Sequence, residues 1–458
     1  MARQLLSVGL DVGTTTTQMI VSELTVENKA SSFTVPQMQI TKRHIRYQSP
    51  VHFTPLDGQS LVDGQAIRRI VEREYENAGI RRQQVDTGAV IITGETSRKE
   101  NARTVLSALS ELAGDFVVAT AGPDLESVLA ARGAGAVEYS EKTGKTVLHM
   151  DIGGGTSNLA YICHGKIQKT GCLNVGGRLL KFRSDGKVGY ASPVLRGLTD
   201  LQPGDYPTSG QVEAIVQILT HALEMAAGLR ERSALLDNLW TAECGAVWEQ
   251  IPKAEMLSFS GGVADCIEDA KDPAAYGDIG PLLGQAIRKS RLCQEAYRLG
   301  SHTIRATVIG AGCHSAQLSG STVFTRGIHL PLQNLPVVSF TEQEQNDTAL
   351  PQLIAQRLSR IDGHRAVLAF PGMTAPNHAQ VTRLAQAIAQ GVQGLPVLVC
   401  VEADMAKALG HSLCLCLPAD KPCLCIDKVQ LSDDCFLDVG APVGPCLPVV
   451  VKTLVLSV

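Results

Sequence analysis

The sequence predicts an α/β protein of two matching lobes around a central cleft, with a further α/β unit at its C-terminal end. Three observations predict it. A strand–Asp–Gly–hydroxyl–strand hairpin occurs twice, within residues 7–21 and again within 148–161. A similar order of strands and helices follows each copy, which is the pattern of a mixed sheet with helices attached, built twice. A proline-containing stretch, HLPLQNLPVV (329–338), then reads as a linker. The expected divisions are 1–140 for the first lobe, 141–328 for the second and 339–458 for the last unit.

The second hairpin is the richer copy. In LHMDIGGGTSNLAY an apolar run ends in Asp151, then come Gly153, Gly154 and Gly155, and Thr156 and Ser157 precede a second apolar run. The pattern reads as strand, tight turn, strand. Adjacent glycines open left-handed backbone conformations and leave no side chain between main chain and ligand. Successive N–H groups can then converge on one anion. A carboxylate at the strand end suits a hydrated Mg²⁺ bridging to the same phosphates. Taken alone, the stretch reads equally well as a glycine-rich bend with a capping Asp. The first copy, SVGLDVGTTTTQMIV, decides between them, because Asp11 aligns with Asp151, Gly13 with Gly153 and Thr16 with Thr156. Their separation is too long for a short-period solenoid. It fits two lobes that each present one turn to a shared cleft. A phosphate chain there is gripped from both sides, with Asp11 and Asp151 flanking one metal, which makes it a nucleotide site.

The remaining elements follow in order. Residues 30–56 read as extended, broken at Pro36 and Pro50, and 61–80 as a helix stopped by Gly79. Residues 87–96 form a strand, 100–114 a helix ending on Gly114, and 115–122 another strand. A helix over 123–136 opens on Pro123 and Asp124 and finishes on glycines. In the second half, strands cover 146–151, 157–163 and 166–174, and an amphipathic helix covers 209–228. A strand over 255–262 enters a Gly261–Gly262 turn, a helical region runs to about 298, and 302–320 holds a last strand and helix. Beyond the linker, helices at 348–361, 376–392 and 402–412 alternate with strands at 365–370 and 395–401, ahead of a strand-rich end. That unit carries no catalytic signature.

Length and composition bound the function. At 458 residues the chain exceeds what one core usually spans. Its 41 basic and 45 acidic residues leave a net charge of −4, which makes no electrostatic case for nucleic acid or an anionic membrane. No apolar run reaches membrane-spanning length, and the first strand begins too early for a signal peptide, so a cytoplasmic location is expected. Seven of the 13 cysteines fall between Cys400 and Cys446. Their densest part pairs Cys414 with Cys416 and Cys423 with Cys425 in C-x-C spacing, whereas zinc ribbons use C-x₂-C. Reduced thiols in strands are expected there, not a structural metal.

With these residues in hand, the chain resembles a known superfamily. DVGTTTTQ (11–18) looks like phosphate-1 of the actin, sugar-kinase and heat-shock-chaperone ATPases, and MDIGGGTSNLAY (150–161) looks like phosphate-2. FSGGVADCI (259–267) resembles the adenosine motif, DLESVLAARGAGA (124–136) connect-1, and VIGAGCHSAQ (308–317) connect-2. The resemblance covers roughly residues 5–320, in family order. It implies a two-lobed ribonuclease-H-like (actin-like) ATPase fold with Mg²⁺ and ATP in the cleft. Asp11 and Asp151 would hold Mg²⁺ through waters. Gly13, Thr14, Thr15, Gly153, Gly154, Gly155 and Thr156 would cradle phosphates, and Gly261 and Gly262 would border adenosine. Glu126 falls where the chaperones position the attacking water, although a first-turn Glu is also favoured by the helix dipole alone.

Closer still, the chain is similar to the reactivating factors of ethanolamine ammonia-lyase from bacterial ethanolamine utilisation. QLLSVGLDVGTTTTQ, TGETSRKENA (93–102), the GGGTSN loop and LPVVVKTLVL (447–456) carry that likeness. It implies a chaperone-like ATPase that releases damaged cobalamin from the inactivated lyase so that intact coenzyme enters. A homodimer and association with a bacterial microcompartment stay open. The alternative is a small-molecule kinase of the same fold, which needs a carboxylate base aimed at a substrate hydroxyl, and no motif supplies one. A third class is an ATP-assembled filament, which sedimentation would exclude. Two near-matches fail. TGKT (143–146) resembles a Walker A end, but Tyr139 stands at its first Gly position and a strand follows it. DGHRAV (362–367) resembles a cobalamin loop, but Val367 stands at its Gly position.

Overall fold

A computed structural model describes residues 3–13, 16–29, 38–57, 61–92, 117–120, 123–241, 253–314, 316–320, 322–359, 361, 366–392, 396–431 and 435–453. Strands β1 (Arg3–Val12), β2 (Thr16–Asn28), β3 (Met38–Gln48), β4 (Thr87–Ile92) and β5 (Val117–Thr120) form the first sheet in the order β3-β2-β1-β4-β5. The first three run antiparallel as a meander, and β4 and β5 add in parallel. A short strand, His52–Phe53, joins the turn end of β2 and pairs Phe53 with Thr16.

The second sheet repeats this plan. Strands β6 (Val147–Ile152), β7 (Ser157–Cys163), β8 (Lys166–Leu173), β9 (Met256–Ser260) and β10 (Tyr297–Leu299) lie in the order β8-β7-β6-β9-β10, with the same senses. Each sheet is a ribonuclease-H-like arrangement, so the expected fold class holds. Strand β6 is buried along its whole length, as expected for a central strand covered on both faces.

The helices that position the site are α1 (Gly64–Asn77), α2 (Pro123–Gly133), α3 (Ser209–Ala226) and α4 (Ala306–His314). The Asp63 carboxylate caps α1 by accepting the Ala66 N–H at 2.9 Å, and the helix lays Ile67 and Val71 on the first sheet's core. The Thr208–Gln211 capping box starts α3, which packs Val212, Ile215 and Leu219 into the second core. The other two helices exchange lobes. Helix α2 follows β5 of the first sheet yet packs on the second, where Ser127 Oγ donates to Gly171 O at 3.3 Å. Helix α4 follows β10 of the second sheet yet lies on the first, where a Cβ on Gly9 would sit 2.5 Å from Val308 O. They cross in backbone contact: a Cβ on Gly133 would lie 1.8 Å from Ala306 O, and one on Gly310 2.1 Å from Leu129 O. This crossing is the joint between the lobes.

A third sheet carries β11 (Ala316–Leu318), β12 (Phe324–Arg326), β13 (Leu332–Ser339), β14 (Val367–Phe370), β15 (Val397–Val401), β16 (Cys423–Asp427), β17 (Cys435–Val439) and β18 (Pro448–Thr453). Its order is β11-β18-β17-β13-β14-β15-β16-β12. Strands β13 to β16 are parallel. The helices between them, α5 (Leu350–Leu358), α6 (His378–Gly391) and α7 (Ala406–Cys416), bury Ile354, Leu384 and Leu409 against one face.

Several sequence expectations are corrected. Residues 329–338 are not a linker, because β13 sits mid-sheet, and its Pro336 is accommodated beside a register shift between Leu332 and Leu335. Cys414 and Cys416 end helix α7 and are not in a strand, whereas Cys423 and Cys425 are buried in β16 with their sulfurs 3.9 Å apart. The helical region expected up to 298 is broken and ends in β10, and within 302–320 the helix comes before the strand. The helix expected at 100–114, the segment 93–102 and residues 454–456 of the tail lie outside the described residues. Among the described residues the cysteines are free thiols, and no helix is long and apolar enough to cross a membrane.

Candidate functional site

The two hairpin turns are built alike. Gly13 N–H donates to Thr16 O at 2.9 Å in the first, and Gly153 N–H donates to Thr156 O at 2.9 Å in the second. Their ladders agree as well, since Asp11 lies opposite Gln18 as Asp151 lies opposite Asn158. Both turns and both carboxylates line one cavity of about 400 Å³. Gly154, Gly155, Gly261 and Gly262 line it too, as does Glu126 from the first turn of α2. Every described residue expected at the site is therefore on one wall or another of a single cleft. Thr14 and Thr15 lie outside the described residues.

The glycines serve by their lack of a side chain more than by their backbone freedom. None of Gly153, Gly154 and Gly155 has a positive φ, which corrects the expectation of left-handed backbone in that loop. A Cβ on Gly155 would meet nothing within 4 Å, so this position faces open cavity. Gly261 is different: its φ is +87°, and a Cβ there would lie 2.3 Å from Ile152 O, so both conformation and space demand glycine.

Asp151 is only 6% exposed. Its Oδ1 accepts from Ser260 Oγ, and its Oδ2 accepts from Thr307 Oγ1 at 3.4 Å. Burial pushes its pKa up to about 6, against the pull of those two hydrogen bonds. Behind Ser260 sits fully buried His149, whose pKa burial lowers to about 3. It is neutral at physiological pH.

The described cavity wall has one basic side chain, Arg178. The backbone N–H of Arg178 donates to Gly154 O at 2.7 Å, which braces the second turn. Its Nε donates to Asp278 Oδ2 at 3.0 Å, and its guanidinium stands 5.6 Å from the ring of Phe53 on the opposite lobe. The lobes also touch where Arg305 Nη2 donates to Ser49 O at 2.8 Å and Gln18 Nε2 donates to Ile304 O at 3.1 Å. Hard oxygen donors beside glycine turns suit a hydrated divalent cation and phosphates. Among the described residues no three His, Cys, Asp or Glu side chains cluster to hold a metal directly.

Sequence reasoning missed Gln18 and Asn158, although extending the hairpin alignment by two residues pairs them. It also missed Ser260, although it stands directly before Gly261, and Arg178, Phe53 and Thr307, which carry no local signal and meet the site only through tertiary packing.

The family model described as "Ethanolamine utilisation protein EutA" matches residues 3–457. The chain is 40% identical over 477 residues to the ethanolamine ammonia-lyase reactivase EutA of Salmonella typhimurium, covering 99% of this chain and 98% of the other. It is 40% identical over 474 residues to the Escherichia coli K12 protein of the same name, with the same coverage. Among solved structures, the ethanolamine utilization protein EutJ of Carboxydothermus hydrogenoformans is similar at 17% identity and TM-score 0.33, over 67% of this chain and 88% of that one. An Aquifex aeolicus Ppx/GppA family member is similar at 16% identity and TM-score 0.36, over 68% and 87%.

Proposed function

This chain belongs to the EutA family of ethanolamine utilisation proteins, and we propose that it is an ATP-driven, chaperone-like reactivase of ethanolamine ammonia-lyase. The observation that supports the ATP-dependent part is the pair of equivalent turns facing one cavity, each with a carboxylate at its strand end. Asp11 and Asp151 hold Mg²⁺ through water. Gly13, Thr14, Thr15, Gly153, Gly154, Gly155 and Thr156 cradle the phosphates, and Gly261 and Gly262 border the nucleoside. Bound Mg²⁺ and ATP supply a metal-stabilised phosphoanhydride whose hydrolysis provides the free energy. Glu126 orients the attacking water from the first turn of α2. Catalysis is then a matter of positioning and electrostatics.

Engagement of both turns draws the lobes together about the α2–α4 crossing, and its loss lets them part. The outer surface that grips the lyase changes with that motion, so that damaged cobalamin leaves and intact coenzyme enters. The protein works in the cytoplasm on this reading, with the lyase as its partner. Both similar relatives are named reactivases, and no observation favours the small-molecule kinase.

The test is reactivation of cyanocobalamin-blocked lyase by the purified chain with Mg²⁺, ATP and adenosylcobalamin. Wild type restores activity and hydrolyses ATP, whereas Asp151→Asn does neither. A variant that does both like wild type overturns the site assignment.

A further inference from the structure

We infer that Ser258, His149 and Ser260 form a one-way hydrogen-bond chain that holds the Asp151 carboxylate in its cation-binding pose, making His149 and Ser260 positioning residues of the cleft. The inference rests on the nucleotide reading above.

Strand register sets the chain up. In the parallel pair β6–β9, His149 lies beside Ser258 and Asp151 beside Ser260. The two-residue spacing puts all four side chains on one face of the sheet. Leu148, Met150, Leu257 and Phe259 take the other face into the core of the second lobe. The polar four are almost wholly inaccessible, with His149, Ser258 and Ser260 at 0% exposure. Polar groups buried this way cost stability unless they are bonded, and an apolar trio of similar shape would pack at least as well.

The bonds have only one consistent direction. An ionised carboxylate can only accept, so the Ser260 hydroxyl donates to Asp151 Oδ1. Ser260 Oγ must then accept, and it lies 2.9 Å from His149 Nε2, which therefore carries the imidazole proton. His149 Nδ1 is left as an acceptor, and Ser258 Oγ lies 3.1 Å from it as donor. Each group fixes the next, so the Ser260 hydroxyl cannot rotate away. Thr307 engages the other carboxylate oxygen, and Asp151 lines the cavity. Outer partners of this kind orient a metal-binding carboxylate and typically contribute about 10- to 100-fold in metal affinity.

The experiment measures binding of Mn²⁺ with ADP to the full-length chain, by electron paramagnetic resonance of free Mn²⁺. Ser260→Ala and His149→Leu should each weaken Mn²⁺ binding roughly 10- to 100-fold. The double variant should be no weaker than the worse single one, as expected for links of one chain. His149→Gln, whose amide can replace the Nε2–H donor, should recover most of the loss. Unfolding midpoints are measured alongside, and His149→Leu should fall below wild type, because it leaves the buried Ser258 hydroxyl without its acceptor. Single variants that bind Mn²⁺–ADP like wild type, while Asp151→Asn does not, overturn the positioning chain and leave the nucleotide reading standing. Additive losses in the double variant also overturn the chain. Wild type that fails to bind Mn²⁺–ADP removes both. If His149→Leu does not fold, Ser260→Ala decides alone.

Discussion

Asp151 is held in its ionised form at a cost. Its pKa rises from 3.8 to about 6 on folding, so between those values the folded protein binds the proton more tightly than the unfolded chain does. The native state keeps its full stability below the lower value and loses stability as pH rises through the higher one. At pH 7 the ionised carboxylate costs on the order of 3 kcal/mol. Asp151→Asn should therefore be more stable than wild type in the ligand-free state at pH 7, and the gap should close below about pH 4. Urea denaturation at several pH values checks this, and a less stable variant at pH 7 speaks against it. Adding Mg²⁺ and ADP should narrow or reverse the gap, because only wild type gains from binding. Gly155 offers the complementary case. Its Cβ would meet no protein atom within 4 Å, so Gly155→Ala should melt like wild type yet lose at least about tenfold in nucleotide affinity, or roughly 1.4 kcal/mol. At this scale the sequence revealed the carboxylates and glycines through their repeated spacing. The stripe of His149, Ser258 and Ser260 was hidden, because alternating polar residues in a strand normally mark a solvent face. Only the pairing of β6 with β9 shows that these face inward together.

On the proposed reading, lobe motion turns on the α2–α4 crossing. Gly310→Ala would drive a Cβ to 2.1 Å from Leu129 O, and that neighbour is backbone, which cannot swing aside. The helices must separate, at a cost of about 1–3 kcal/mol. Thermal unfolding should register that loss. Small-angle scattering should show that the variant compacts less than wild type on adding Mg²⁺ and ADP. An unchanged melting point with full compaction would remove the crossing as the joint. Individual helices such as α1 and α3 were legible from apolar spacing, with Gly79 as the stop of α1. Their packing was not: Gly133 reads as a helix stop, and nothing local shows that α2 and α4 trade sheets. Strand β13 was misread because Pro331 and Pro336 suggest a linker, and a local register shift is what admits Pro336 to the sheet. Helix α7 was cut short because its terminal C-x-C suggested a strand, although Leu409 and Leu413, both buried, keep the four-residue period.

At the scale of the molecule, two sheets of one topology face each other across a cleft, and a third sheet stands on β11, β12 and the strands after residue 331. The duplication was legible because each half opens with the same hairpin. The third sheet's reach back into residues 316–326 was not, since strands of three residues carry almost no periodic signal. The cleft matters only if both turns serve one ligand. Calorimetric titration of Mg²⁺–ATP into the full-length chain tests this most directly. The account predicts one nucleotide per chain, with Asp11→Asn and Asp151→Asn each weakening binding by at least about tenfold. Two independent binding events, or full affinity after either substitution, would contradict it.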